Sequence, residues 1–185
     1  ERADPDGESD DDCWALVESA PDADRCELLE GSLLVSPPAS AYHQFAGDEL
    51  RGRLAAAVPP GLVAVTAIGV RLSSDTALVP DVVVFRHQAG TVLRGPVDAA
   101  ETLLAVEIVS PSSKTMDRVA KPAKYAAAGI PNYWLLEIED GDFGLTVFAL
   151  AGQTYRQAER LVPGTPRRLA QPFPIELDVA DVRLA

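Results

Sequence analysis

Two stretches decide the fold: Leu103-Leu104-Ala105-Val106-Glu107-Ile108-Val109, and Pro80-Asp81 opening Val82-Val83-Val84-Phe85. Near-continuous apolar runs rich in β-branched residues predict central strands buried on both faces. Each run carries one carboxylate out of keeping with it. An ionised acid in such a strand is costly unless paired, hydrogen-bonded or bound to a metal. Two such acids on neighbouring strands are able to converge on one divalent cation. Their hard oxygen ligands suit Mg²⁺ or Mn²⁺, which polarise a phosphate and activate a bound water. Asp81, following a proline, fits a turn cap equally well. For Glu107 the structural alternative is a buried ion pair.

Upstream, Asp11 or Asp12 caps an expected short helix through Ala20, with Trp14, Leu16 and Val17 as its apolar members. Arg25–Leu29 and Leu33–Ser36 read as a hairpin around Glu30-Gly31-Ser32. After Pro37-Pro38, Ser40 is the N-cap of a long helix to about Val58, stopped by Pro59-Pro60-Gly61. Leu50 and Leu54 form its apolar stripe. His43, two turns before Leu50, lies on the same inward face. Strands are expected at Leu62–Ala67, Val70–Leu72, Val82–Phe85 and Leu103–Val109, with residues 86–101 as a connecting loop. A second helix lies within about Asp117–Ala128 and ends at Gly129 before Pro131. Asn132–Ile138 and Leu145–Leu150 form a hairpin around Asp140-Gly141-Asp142, and shorter strands are expected near Tyr155–Leu161 and Ile175–Leu177. The result is an α/β (α+β mixed) domain: a mixed sheet with two main helices and additional N- and C-terminal hairpins.

The chain has 185 residues and a formal net charge of −12. Residues 1–30 hold twelve acids and two bases, leaving sixteen acids and fourteen bases in the remainder. Residues 1–10 read as a disordered acidic arm, and residues 11–185 as one nearly neutral domain. A hydrophobic content of 47% excludes a wholly disordered chain. No apolar run reaches the length of a membrane span, and the N-terminus has no apolar signal core, so a cytoplasmic protein with no membrane partner is the expectation. Cys13 and Cys26 match no zinc spacing, and with only His43 and His87 besides, a metal would fall to carboxylates.

Other candidates have two readings each. Lys121 is either the cation that orients a nucleophilic water or half of an exposed Asp117–Lys121 pair. His43 is either a site residue or a packed helix histidine. Gly47, one turn later, lets another segment approach that face closely. Tyr133 and Trp134 are expected in the core, and Tyr125 is open to either reading.

Taken in order, Glu27-Leu28-Leu29-Glu30-Gly31, Ser36-Pro37-Pro38, His43, Pro80-Asp81, Glu107-Ile108-Val109-Ser110-Pro111-Ser112, Lys121, Tyr125 and Gly129-Ile130-Pro131-Asn132-Tyr133-Trp134 form a string that resembles the Uma family of restriction-endonuclease-like proteins, within the PD-(D/E)XK nuclease superfamily. The resemblance spans roughly residues 24–150. It implies a central mixed sheet flanked by helices, a Mg²⁺-dependent endonuclease site in which Mn²⁺ substitutes, a nucleic-acid substrate (DNA rather than RNA), and a homodimer. Asp81 would be the PD acid and Glu107 the second acid, with the Ile108 carbonyl as a further metal ligand. Val109 stands where the superfamily usually has lysine, and the lysine is expected from the following helix, at Lys121. His43 and Glu30 would line the same cleft, near Ser110, Lys124 and Tyr125.

There are departures. Pro122 predicts a helix that starts late or is kinked at the lysine, with Lys124 one turn on as a substitute. Glu30 and Glu137 stand where the family more often has Asp. The acidic arm, the missing basic surplus and Pro122 suit an alternative: a catalytically weak or inactive nuclease-fold protein that binds nucleic acid or a protein partner. A hydrolase of small anionic molecules is a third. Bases able to touch phosphate (Arg51, Arg53, Lys114, Arg118, Lys121, Lys124) gather in or near the two helices, and any nucleic-acid binding is expected to be weak and salt-sensitive.

Overall fold

The computed structural model describes Val17 and residues 26–92, 95–111, 113–139, 141 and 143–183. The acidic arm and nearly all of the expected Asp11–Ala20 helix lie outside the described residues. Val17 itself is buried in a cluster with Cys26, Leu28 and Ala77.

The long helix α1 spans Ala41–Ala57, with the Ser40 side chain accepting from the His43 backbone N–H as its N-cap. Six strands make the main sheet: β3 (Leu62–Thr66), β6 (Val82–Arg86), β8 (Thr102–Val109), β9 (Asn132–Glu137), β10 (Gly144–Ala151) and β11 (Thr154–Leu161). Their spatial order is β11-β10-β9-β8-β6-β3. Every neighbouring pair is antiparallel except β8 and β9. A parallel pair needs a crossover, and residues 114–127 supply it as a helix.

The two apolar runs are buried on both faces, as their composition dictates. From β8, Leu104, Val106 and Ile108 join the core layer under α1 with Leu50 and Leu54. Ala105 and Val109 join the opposite layer with Tyr125, Ile130 and Tyr133. Glu107 has the parity of that second layer, so its carboxylate is aimed into an apolar stratum beneath the crossover helix.

A second sheet, unforeseen as a separate unit, takes the N-terminal hairpin β1 (Cys26–Leu29) and β2 (Ser32–Val35), joined by β4 (Val70–Ser73), β5 (Thr76–Leu78) and β7 (Val97–Asp98). Its order is β2-β1-β5-β4-β7. The expected hairpin forms around Glu30 and Gly31, at φ 50° and 73°. Strands β5 and β7 have three and two residues, too short to show a period in the sequence. A third pair, β12 (Arg167–Leu169) with β13 (Ile175–Leu177), closes the C-terminal end.

The crossover helix has two parts. Residues Met116–Ala120 form a π turn, and α2 (Lys121–Ala127) continues from it. The Lys121 N–H reaches back five residues to the Met116 carbonyl. Pro122 explains the switch. In a regular helix its ring would strike the carbonyl four residues back and its missing N–H would leave that acceptor unpaired. The wider turn answers the irregularity expected from Pro122, and the helix runs on to end at Gly129 (φ 81°).

Candidate functional site

The site forms where β6 begins and β8 ends. The register pairs Val82 with Val106, so one step outward sets Asp81 opposite Glu107. The Asp81 side chain crosses to β8, where Oδ2 accepts the Ile108 N–H at 2.6 Å. Ile108 turns its carbonyl towards α1, where His43 Nε2 lies 3.0 Å away. The same imidazole nitrogen is 3.4 Å from Asp81 Oδ2. One peptide group thus gathers the aspartate through its N–H and the histidine through its carbonyl. Gly47 eases this reach: a Cβ there would stand 3.3 Å from Ile108 Cδ1, a tight contact that glycine avoids where α1 settles against β8. Burial pulls the imidazole towards its neutral form, but the hydrogen bond and charge of Asp81 outweigh it, and the His43 pKa is raised.

Beneath lies a buried cluster. Glu107 is 2% exposed and Lys121 7%, so neither is a solvated surface charge. Lys121 Nζ stands 3.2 Å from both Glu107 oxygens. Tyr125 donates its hydroxyl to Glu107 Oε1 at 2.6 Å. The nearest acceptor to the ammonium is Glu27 Oε1 at 2.9 Å, with Asp117 Oδ1 at 3.9 Å. Burial drives the Glu107 carboxyl well above its ordinary range, against the pull of Lys121. Burial likewise lifts Asp117 to about 6. For Lys121, burial favours the neutral amine, but the charges of Glu107, Glu27 and Asp117 prevail and raise it. The Tyr125 hydroxyl is pushed up by burial and stays protonated, as its donor role requires.

Of the residues singled out in the sequence, Asp81, Glu107, Ile108, His43, Lys121 and Tyr125 come together here. Lys121 itself enters the cluster despite Pro122. Lys124 does not substitute for it; its Nζ pairs with Glu30 Oε1 at 2.5 Å on the exposed side of the hairpin turn. Ser110 is a turn residue, its backbone N–H and hydroxyl both engaged with the Ser113 hydroxyl where the chain leaves β8 for the helix. Glu137 binds the Arg118 guanidinium at 2.8 and 2.6 Å. Glu27 was quoted in the sequence only as part of a motif. The signal that picked out Glu107, an acid between buried apolar residues, was present in Cys26-Glu27-Leu28, but a four-residue strand made it faint.

A divalent cation fits the chemistry of this donor set. The carboxylates of Asp81 and Glu107 and the carbonyl of Ile108 are hard oxygen donors on adjacent strands. Four acids (Glu27, Asp81, Glu107, Asp117) gather around two basic groups, the ammonium of Lys121 and the imidazole of His43. Among the described residues no group of three or more His, Cys, Asp or Glu side chains is placed to hold a metal ion. Mg²⁺, which keeps several waters and takes one or two carboxylates, needs no such group.

A central mixed sheet flanked by helices places the fold in the restriction-endonuclease-like class. The chain belongs to the Uma2 family, described as "Putative restriction endonuclease", whose model matches residues 13–182. The fold is shared with the crystal structure of "a putative nuclease belonging to DUF820" from Anabaena variabilis ATCC 29413, at a TM-score of 0.70 and 17% identity, covering 91% of this chain and 96% of that one. No curated protein matches the chain at a significant level. Among the described residues no helix is long and apolar enough to cross a membrane.

Proposed function

We propose that this protein is a divalent-metal-dependent endonuclease that hydrolyses phosphodiester bonds, with DNA as its substrate and Mg²⁺ or Mn²⁺ as its cofactor. The observation that carries the reading is the junction at Ile108, where Asp81 and Glu107 flank a peptide whose N–H and carbonyl are tied to Asp81 and His43. Asp81, Glu107 and the Ile108 carbonyl would hold the metal. When bound, such a cation polarises a phosphoryl oxygen and lowers the pKa of a water to the range of a useful nucleophile.

The protein's own groups supply the rest. Tyr125 holds Glu107 Oε1 through its hydroxyl, fixing the carboxylate plane. Lys121 Nζ, charged and desolvated, stabilises negative charge as it develops on the phosphate oxygens and orients the attacking water. His43 Nε2, at the open side of the cluster, is able to hold or hand on a proton at the leaving oxygen. Family membership and fold are in keeping with this chemistry.

The test is cleavage of supercoiled plasmid by purified protein with Mg²⁺ or Mn²⁺. Cleavage is expected, abolished by Asp81→Ala and by Glu107→Ala. Metal-supplemented protein that leaves DNA and RNA intact, with mutants that behave identically, would sink the reading.

A second reading, a nuclease-fold binding module without cleavage, draws on the charge pairing. Arg53, Lys114, Arg118, Lys121 and Lys124 each face a carboxylate of their own chain. It requires that Asp81→Ala leave nucleic-acid or partner binding largely unchanged. A Mn²⁺-induced rise in melting temperature that disappears in Asp81→Ala counts against it.

A further inference from the structure

We propose that Glu27 is a positioning residue for the nuclease reaction: it anchors the Lys121 ammonium and ties it to the strand end that delivers Asp81. The inference rests on the nuclease reading for its kinetic part only.

Glu27 belongs to the small sheet, not to the sheet that carries the acids. It is 6% exposed, between buried Cys26 and Leu28. A carboxylate there is costly unless its charge and lone pairs are met. Both demands fall on one oxygen. Glu27 Oε1 accepts the Val79 N–H at 2.7 Å and the Lys121 Nζ at 2.9 Å. Val79 precedes Pro80 and Asp81, so the same atom grips the lysine and the short segment leading to the aspartate.

The geometry at Lys121 shows what this does. Its ammonium is equidistant from the two Glu107 oxygens, at 3.2 Å, and nearer to Glu27 than to either. A lysine side chain has four rotatable bonds, and Lys121 emerges from the π-to-α junction, where the backbone is irregular. Glu27, approaching from a different sheet, supplies a fixed acceptor that stops the ammonium from collapsing onto Glu107 or Asp117 alone. The small sheet thereby takes part in assembling the site of the large one.

The composition makes this testable without catalysis. The chain has only three lysines, Lys114, Lys121 and Lys124, all in the crossover helix. Acetylation of the full-length protein with an N-hydroxysuccinimide ester, read by peptide mass spectrometry, reports on each. In the native protein Lys121 is expected to be strongly protected. Glu27→Met, isosteric but without an acceptor, is expected to raise Lys121 labelling at least ~10-fold, with Lys114 and Lys124 unchanged. Glu27→Gln, whose amide oxygen accepts both bonds, is expected to restore most of the protection.

In plasmid cleavage, Glu27→Met is expected to lower kcat on the order of 100-fold with KM within about 3-fold. Combined with Lys121→Met, it is expected to add no loss beyond that of Lys121→Met alone. Should Glu27→Met not fold, Glu27→Asp, which withdraws the acceptor by one methylene, takes its place. Unchanged Lys121 labelling in the folded variant, or fully additive losses in the double variant, overturns the proposal. Native protein that cuts nothing defeats the nuclease reading instead, and the labelling result still decides whether Glu27 holds Lys121.

Discussion

At the scale of single residues, the site stores charge that folding has taken out of water. Asp117, lifted by burial to about 6, and Glu107, lifted well beyond its usual range, keep protons that the unfolded chain has already released. Wherever the folded state binds more protons, stability falls as pH rises, and these contributions are gone above the raised values. His43 acts in the same direction. Burial lowers its pKa, Asp81 more than compensates, and the stability it contributes below its unfolded pKa is lost as pH climbs through the raised value. Lys121, itself raised, is charged in both states across this range and adds no slope. The metal-free protein is therefore expected to melt at a lower temperature at about pH 8 than at about pH 5 in calorimetry. Asp117→Asn should flatten the part of that profile below about pH 6. Mg²⁺ should raise the melting temperature more at the higher pH, because a metal needs its carboxylates deprotonated. A profile that climbs towards pH 8 would contradict the proton count. Residues of this kind were legible where they broke a long apolar run, as Glu107 does. Glu27 and Asp117 were harder to see, the first in a strand of four residues, the second beside a lysine that an ordinary surface pair explained equally well.

At the scale of elements, the pieces with a full period were readable, as were the short strands β1, β2, β4 and β13, whereas β5, β7 and β12 were not. Helix α1, with its Ser40 cap and its proline stop, and strands β6, β8 and β9 follow their patterns closely. The π turn was announced only as an irregularity at Pro122. Its form depends on where Lys121 must go, which is a tertiary matter. The approach of α1 to β8 is a similar case. Gly47 flagged a close contact but not its partner, which proved to be the Ile108 side chain. Gly47→Val crowds the Ile108 side chain between these elements. It is expected to destabilise the fold by about 1–3 kcal/mol in denaturant unfolding and to weaken cleavage by drawing His43 away from the Ile108 carbonyl. Unfolding indistinguishable from the native protein would mean that this packing is not restrictive.

Across the whole molecule, the net charge of −12 gives way to a finer arrangement. Of the cations that could touch phosphate, Arg53, Lys114, Arg118, Lys121 and Lys124 are held by the chain's own acids, so a nucleic acid must displace those acids to reach them. The exposed Lys124–Glu30 pair is the simplest to release. Glu30→Gln is expected to tighten binding to duplex DNA and to steepen its dependence on salt, by about 0.9 in the log–log slope for one added phosphate contact. Fluorescence anisotropy across a salt series reads both, and an unchanged slope would show that Lys124 does not meet phosphate. The Lys124–Glu30 pair was not accessible from the sequence, because the two residues are far apart in the chain and meet only through the two-sheet arrangement.

The single parallel ladder, β8 with β9, also carries a consequence for how the chain acquires its structure. Hairpins such as β9–β10 close locally and early, whereas a parallel pair waits until its crossover is in place. Here the crossover is the helix bearing Asp117, Lys121 and Tyr125, and one strand of the pair bears Glu107. Closure of this ladder over its crossover thus brings these four side chains together. Weakening the helix at exposed Ala127 with glycine should therefore slow refolding more than it hastens unfolding in stopped-flow measurements.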